Sequence, residues 1–258
     1  MKKSFFSKKS LEEMFVSTPN PYMFGNQPNP GPLPSSWTEK NWLKSRFHFS
    51  FAEWSSGHPS FGPLRVVNDD KVQPKRGFGI HPHRNMEIFT YVVDGELTHE
   101  DSMGNSETLG RGSIQYMSAG TGVMHSEYNH GDVPVRFLQM WVSPRAVGLP
   151  PRYGSADMTN EKFSLNKVHL LIDDLKREGA KEQGDTARVF LHQDIKFSVA
   201  HVTEEISYPL LPSRGVYIIS VEGGGVWRKE EGENVGEEIE VVEGEAVMVS
   251  EGGEGGRV

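Results

Sequence analysis

Most of the chain alternates short apolar runs with clusters of polar and turn-forming residues. From Trp42 onward the runs are rich in β-branched and aromatic residues, and the clearest are FHFSFAEW, LRVVN, EIFTYVVDGEL, GSIQYM and VRFLQMWVS. Short runs of this kind, with turn signals between them, are typical of strands in a sandwich or barrel. The segment DSMGNSE lies between two such runs and predicts a hairpin turn.

The same texture returns after a break that is rich in Pro and Gly, at residues 144–154. The later runs are KVHLLIDDL, ARVFLHQDIKFSVAHVT, GVYIISVEGGGVW and EEIEVVEGEAVMVSE. Before Trp42 the chain is polar and rich in Pro and Asn, without strand or helix periodicity. We predict an irregular arm at 1–40, a first barrel at 41–147 and a second at 148–258. DDLKREGAKEQGD predicts one short helical connector.

Composition restricts the class of protein. The chain has 258 residues and a formal charge of −8, which argues against a nucleic-acid or anionic-membrane binder. It has no cysteine, so a metal site must use nitrogen and oxygen ligands. No apolar window has the length of a membrane helix, and the basic N-terminus lacks a signal-peptide core, which predicts a solvated leader. We expect a cytosolic protein, with the nucleus as the alternative.

The strongest chemical signal is GFGIHPHRNMEIFTYVV, in which His81 and His83 are two residues apart. Residues i and i+2 of a strand point to the same face, so the two imidazoles converge on one point. Pro82 between them removes a ladder donor, which favours an edge or strand-start position. Glu87 shares their face if the strand stays regular.

A second pair follows in GRGSIQYMSAGTGVMHSEYNH, where His125 and Glu127 again share a face. Gly120 and Gly122 allow a tight turn before this pair. Together the two pairs offer three imidazoles and one carboxylate, which suit iron, manganese, nickel, copper, cobalt or zinc. A single H-x-H is more often an ordinary surface or core feature. The second pair is what favours a metal site.

These motifs resemble the pirin family of the cupin superfamily. The resemblance runs from NWLKSRFHFSFAEW through FGPLRVVNDD, GFGIHPHRNMEIFTYVVDGELTHEDSMGN and GRGSIQYMSAGTGVMHSE to RFLQMWVSP. It implies an all-β bicupin, with two antiparallel barrels of double-stranded β-helix (jelly-roll) type face to face and a metal ion only in the first. The chain ends at EGGEGGRV, earlier than the resemblance leads us to expect, so the second barrel is expected to be truncated or altered.

The resemblance also assigns the site. By matching motifs, His81, His83, His125 and Glu127 fall on that family's four metal ligands, and Fe²⁺ is the expected ion. Glu87 and Asn129 match cupin motif positions, and we expect them to contact the metal ligands and orient them without binding the ion themselves. His99, Glu100 and Asp101, beside the predicted hairpin turn, are interpreted as a solvated hairpin end, and the alternative is that they support the metal ligands from a second layer. The second half contains His169, His192 and His201 without an H-x-H pair, and is expected to be free of metal.

Several functions are open for such a protein. The resemblance implies a quercetin 2,3-dioxygenase, in which Glu127 takes a proton from a flavonol hydroxyl and dioxygen cleaves the substrate with release of carbon monoxide. The partners are then a small aromatic substrate and dioxygen. The alternative is a redox-sensing iron protein that binds a transcription factor, without nucleic acid contact of its own. A metal site that only stabilises the barrel is the third reading.

Overall fold

The computed structural model describes residues 5–27, 42–177, 187–211, 213–230, 235–250 and 256–257. In this part of the chain the secondary structure consists of β-strands and three short 3-10 helices, at Leu11–Glu13, Pro21–Phe24 and Leu175–Arg177. The predicted all-β class is confirmed. Of the predicted helical connector, Leu175–Arg177 forms a single turn, and residues 178–185 lie outside the described residues.

The strands of the first half follow the apolar runs of the sequence. With the two short N-terminal strands, they are β1 (Phe5–Lys9), β2 (Phe15–Ser17), β3 (Leu43–Phe47), β4 (Leu64–Val72), β5 (Arg76–His83), β6 (Glu87–Asp94), β7 (Glu96–Asp101), β8 (Ser106–Gly110), β9 (Ile114–Ser118), β10 (Val123–Asn129), β11 (Val135–Val142) and β12 (Arg152–Ala156). The predicted hairpin turn joins β7 to β8.

The strands of the second half are shorter. They are β13 (Val168–Asp174), β14 (Val189–Leu191), β15 (Phe197–Ala200), β16 (Pro209–Leu210), β17 (Gly215–Ile219), β18 (Gly225–Arg228), β19 (Glu238–Val241), β20 (Ala246–Ser250) and β21 (Gly256–Arg257). They form the sheets β1-β20-β17, β14-β13-β15, β16-β21 and β18-β19. The pair β13–β14 is parallel, unlike the antiparallel pairing expected throughout.

Two facing sheets make up the first half. A seven-stranded sheet has the order β12-β9-β6-β11-β4-β3-β2, and a four-stranded sheet has the order β5-β10-β7-β8. Between them lies an apolar cluster that includes Trp42, Val72, Leu97 and Phe137. The other face of the seven-stranded sheet is also buried. Neighbouring residues on a strand point to opposite faces, and every residue of β6 from Glu87 to Val93 is buried.

That other face packs against the second half of the chain. Phe89 and Tyr116 of the large sheet lie in one buried cluster with Ile172 and Leu191. Both faces of β6 are therefore covered, which explains why Glu87 through Val93 read as one buried run.

The predicted arm and boundary differ from the structure in two respects. Residues 5–9 and 15–17, expected to be irregular, are strands: β1 pairs with β20 near the end of the chain, and β2 pairs with β3. Strand β12 lies beyond the predicted boundary at residue 147 but pairs with β9 of the first half. These strands depend on partners far away in sequence, which a local pattern does not contain. The remainder of the arm, residues 28–40, lies outside the described residues.

No helix among the described residues has the length and apolar character needed to span a membrane.

Asp70 is a carboxyl group buried inside the first half. It lies on the same face of β4 as Val72, is 2% exposed and accepts a hydrogen bond from the Ser45 hydroxyl. Burial raises the pKa of Asp70 to about 8; the hydrogen bond from Ser45 opposes this rise, while the nearby Asp69 and Glu127 carboxylates add to it. A charged Asp70 therefore disfavours the folded state.

This buried group predicts how stability depends on pH. A carboxyl group with a raised pKa in the folded state contributes stability at low pH, which is lost as the pH rises through the folded value. The metal-free protein should lose stability from near pH 4 to about pH 8, and Asp70→Asn should remove on the order of 6 kcal/mol of that loss. Urea unfolding in chelator at several pH values measures this, with the exposed Asp132→Asn as control. Parallel curves for wild type and Asp70→Asn would contradict it.

Candidate metal centre

His81 and His83 are presented by the edge strand of the four-stranded sheet. They lie on β5, two residues apart, so their rings fall on one face, with centroids 4.8 Å apart. Strand β5 is at the edge of its sheet, a position that tolerates Pro82, which has no backbone N–H to donate. Gly77 on the same strand is required by packing, because a Cβ atom there would lie 2.3 Å from the Glu127 carbonyl oxygen.

His125 reaches the same point from the neighbouring strand. It lies on β10 directly opposite His81, and its ring centroid is 4.5 Å from that of His81 and 4.7 Å from that of His83. Gly120 and Gly122, in the preceding turn, both have positive φ angles, as the sequence predicted. The three imidazoles thus converge from two strands that are hydrogen-bonded to each other.

The geometry of this cluster fits a metal ion. The Nε2 atoms of His81 and His125 are 3.1 Å apart. Two nitrogen ligands at about 2.1 Å from an ion, at right angles, lie about 3.0 Å apart. His81 Nδ1 is 2.7 Å from the Gly79 carbonyl oxygen, which can only accept, so Nδ1 carries the proton and Nε2 offers a lone pair. This is the tautomer that a metal ligand needs.

The charge state of the cluster also suits ligation. Burial lowers the pKa of His83 to about 4, with the neighbouring His81 adding to the shift. Burial lowers the pKa of His125 further, again helped by the surrounding histidines. Both imidazoles are therefore neutral at pH 7, which leaves their lone pairs free for a cation.

Glu127 is a buried carboxylate held by amide and hydroxyl donors. Its Oε1 accepts from Gln115 Nε2 at 2.8 Å and from the Thr90 hydroxyl at 3.2 Å, and its Oε2 accepts from Gln139 Nε2 at 2.6 Å. Burial raises the pKa of Glu127, while the hydrogen bonds and nearby histidines oppose that rise. A cation beside the carboxylate would favour its charged form.

The four predicted ligands form two overlapping groups rather than one. The ligand atoms of His81, His83 and His125 lie within 4.8 Å of one another, and so do those of His99, His125 and Glu127. His125 and Glu127 share a face of β10, which pairs regularly with β7 and has His99 opposite Glu127. The irregularity is on β5, which has one extra residue between Phe78 and His81, so Glu127 lies opposite Phe78.

Glu87 and Asn129 lie away from the three imidazoles, contrary to the prediction. Glu87 accepts from the Tyr116 and Ser118 hydroxyls at 2.7 Å each and from the His192 backbone at 2.9 Å. It is therefore on the face of β6 that packs on the second half. Asn129 donates to the carbonyl oxygens of Val72 and Val133, closing the turn after β10.

His99 was interpreted as part of a solvated hairpin end, and the structure shows otherwise. His99 is 1% exposed, its Nε2 is 3.1 Å from Asp101 Oδ2, and its ring stacks on Tyr153 at 4.7 Å. The sequence placed His99 two residues from Asp101, the spacing that puts both on one strand face. Only the pairing of β7 with β10 brings that face to Glu127.

Aromatic rings flank the more exposed side of the histidine cluster. The Trp141 ring lies edge-on to His83 with centroids 4.8 Å apart, and the Phe24 ring lies 6.5 Å from that of His81. His81 and His83 are half-buried, whereas His125 and Glu127 are buried. A ligand would therefore approach from the side of β5, between Phe24 and Trp141. Within the described residues, both groups of potential ligands lie in the first half.

Comparisons with known proteins show which family the chain is similar to. A family model described as Pirin matches residues 33–142. The chain is 47% identical over 187 residues to the quercetin 2,3-dioxygenase of Escherichia coli strain K12, covering 70% of this chain and 75% of that protein. The chain belongs to the pirin family. This pirin is also 34% identical over 186 residues to a pirin-like protein of Caulobacter vibrioides, covering 72% of this chain and 78% of that protein.

The fold of this pirin matches that of a solved relative. The crystal structure of the bacterial pirin YhhW of Escherichia coli in complex with nickel(II) aligns with a TM-score of 0.69 and 26% identity, covering 98% of this chain and 96% of that one. The nickel in that protein and the histidine cluster here both indicate a metal-binding pirin. These comparisons give no support to a transcription-factor partner or to a nuclear location.

Proposed function

We propose that this pirin is a metal-dependent dioxygenase that acts on flavonol-type aromatic substrates, with quercetin as the test compound. The observation that carries the proposal is the convergence of His81, His83 and His125, with the His83 and His125 rings neutral and the His81 Nε2 lone pair directed at the common point. The relative named quercetin 2,3-dioxygenase supports the substrate class.

In this proposal His81, His83, His125 and Glu127 hold one divalent ion. Iron(II) is the expected ion, and nickel is the first alternative because a pirin relative binds it. A bound divalent ion supplies Lewis acidity that eases loss of a proton from a hydroxyl group beside it. Glu127 lies opposite Phe78 of β5, so its side chain must turn toward His81 to join the set.

The residues around the cluster would bind the substrate and accept its proton. Phe24 and Trp141 offer ring faces and edges that suit a flat aromatic molecule and exclude water from it. Glu127 would take the proton from the flavonol 3-hydroxyl. Burial raises the pKa of Glu127, but a bound cation lowers it again, so Glu127 would need a weakened bond to the ion in order to act as a base. Gln115 and Gln139 hold the carboxylate in place for this transfer.

The test is oxygen-dependent loss of quercetin absorbance by metal-loaded protein, measured together with oxygen consumption. Wild-type protein loaded with iron(II) or nickel should consume one dioxygen per quercetin. His130→Ala, which changes an exposed histidine beyond β10, should match it. Chelator-treated protein should show only the background autoxidation. Absence of turnover with iron, nickel, cobalt, copper and manganese alike would overturn the proposal.

A further inference from the structure

We propose that one buried water molecule lies between His125, His99 and Gln115, and that it connects the metal ligand His125 to the Asp101 carboxylate. The inference rests on the proposed metal site and adds to it a positioning residue, His99. It starts from an interior cavity of about 10 Å³ that these three side chains line together with Glu127 and Tyr153. That volume is about what a single water molecule requires.

Three polar atoms of the lining residues have no hydrogen-bond partner among the described residues. They are His99 Nδ1, His125 Nδ1 and Gln115 Oε1, and all three are buried. An unsatisfied buried polar group destabilises the folded state, and such groups are rare in folded proteins. Three of them around one cavity of this size indicate a polar occupant.

The role of each atom can be assigned from its neighbours. Asp101 accepts from the backbone of Met103 and from Asn105, and its Oδ2 is 3.1 Å from His99 Nε2. A carboxylate can only accept, so a neutral His99 ring carries its proton on Nε2, and its Nδ1 is then an acceptor. Gln115 donates through Nε2 to Glu127, which leaves its Oε1 as a second acceptor.

His125 supplies the matching donor when it binds an ion. Its Nε2 atom is the one that faces His81, so an ion there takes the Nε2 lone pair and leaves the proton on Nδ1. The cavity is then lined by one donor and two acceptors. A water molecule accepts from His125 Nδ1–H and donates to His99 Nδ1 and Gln115 Oε1, which satisfies every group at once.

The opposite tautomer of His125 leaves one of these polar atoms without a hydrogen bond. With the proton on Nε2, all three atoms would be acceptors, and one water can donate to only two of them. The hydrogen-bond arrangement of Asp101, His99 and Gln115 therefore favours the tautomer of His125 that binds metal. Metal-ligating histidines commonly donate their second nitrogen to a carboxylate, carbonyl or water in this manner. His99 acts through His125, as a positioning residue.

A high-resolution crystal structure of the zinc- or nickel-loaded protein tests the water directly. We expect ordered density within hydrogen-bond distance, about 2.7–3.2 Å, of His99 Nδ1, His125 Nδ1 and Gln115 Oε1. Nuclear magnetic resonance of the zinc-loaded protein should show a His125 Nδ1–H proton that exchanges slowly with solvent. A dry cavity, or His125 protonated on Nε2, would overturn the inference.

Metal affinity of three variants tests the positioning role. His99→Leu removes the acceptor and should weaken nickel binding, measured by chelator competition, by about 10–100-fold. His99→Asn places an amide oxygen near the Nδ1 position and should recover most of the affinity. His130→Leu is the matched control and should equal wild type. Wild-type affinity in His99→Leu, or equal weakening in His99→Asn, would contradict the inference.

These outcomes are separable from failure of the proposed function. If the loaded protein binds nickel tightly and shows the water but does not consume quercetin, the proposed reaction fails and His99 keeps its role. If quercetin is consumed while His99→Leu binds nickel like wild type, the reaction stands and the role of His99 is wrong.

Discussion

Replacing His125 with alanine is expected to abolish stable metal binding, with nickel affinity lowered more than about 100-fold. His125 is the one residue common to both groups of potential ligands, so its loss leaves only two histidines in one group and one histidine with Glu127 in the other. Substitution of a residue that hydrogen-bonds to a metal ligand already lowers metal affinity by about 10–100-fold, and removal of the ligand itself should lower it more. Quercetin turnover should fall to the level of chelator-treated protein.

The measurement is metal content after gel filtration, together with chelator competition for nickel. His130→Ala is the matched control, because it removes an exposed imidazole three residues beyond Glu127. Thermal unfolding of both variants in chelator checks that the barrel still forms. If His125→Ala retains one nickel per chain with wild-type affinity, the site is not where these strands converge.

Replacing Glu127 with glutamine should separate metal retention from turnover. Three imidazoles remain in Glu127→Gln, so we expect close to one nickel per chain after loading. The proton acceptor is lost, and a positioned acid–base group contributes about 10²–10⁴-fold to rate. Turnover of quercetin should therefore fall at least about 100-fold while the metal content stays nearly unchanged.

Glu100→Gln is the control for this variant, because Glu100 is an exposed carboxylate on the neighbouring strand β7. Steady-state rates at saturating quercetin and metal analysis of the same samples give both quantities. Wild-type turnover in Glu127→Gln would show that the proton goes elsewhere. Loss of metal in parallel with turnover would show that Glu127 acts only as a ligand.

Local patterns in the sequence were sufficient to predict most strands and the shared face of His81 and His83. The period of two places His81 and His83 on one face whatever sheet they join, and the Gly120–Gly122 turn delivers His125 to the adjacent strand. The H-x-E spacing predicted a shared face for His125 and Glu127 as well. What it could not contain is the extra residue on β5 that puts Phe78 opposite Glu127, because a bulge is defined by the pairing of two strands.

Long-range packing decided the parts that sequence reasoning missed. Glu87 was placed with the histidines on the assumption of one regular strand. The chain instead turns at Asn85, with a φ of 50°, and β6 joins a different sheet. His99 looked like a solvated loop residue because nothing local shows that β7 lies beside β10. The N-terminal strand β1 is similar, since its partner β20 is more than 200 residues away.

The most direct test of the central claim is an anomalous-difference map from crystals of the nickel-loaded protein. We expect one strong peak, about 2.0–2.2 Å from nitrogen atoms of His81, His83 and His125, with the Glu127 carboxylate turned toward it. A map with no peak among these side chains, or with nickel held only by exposed residues elsewhere, would contradict it.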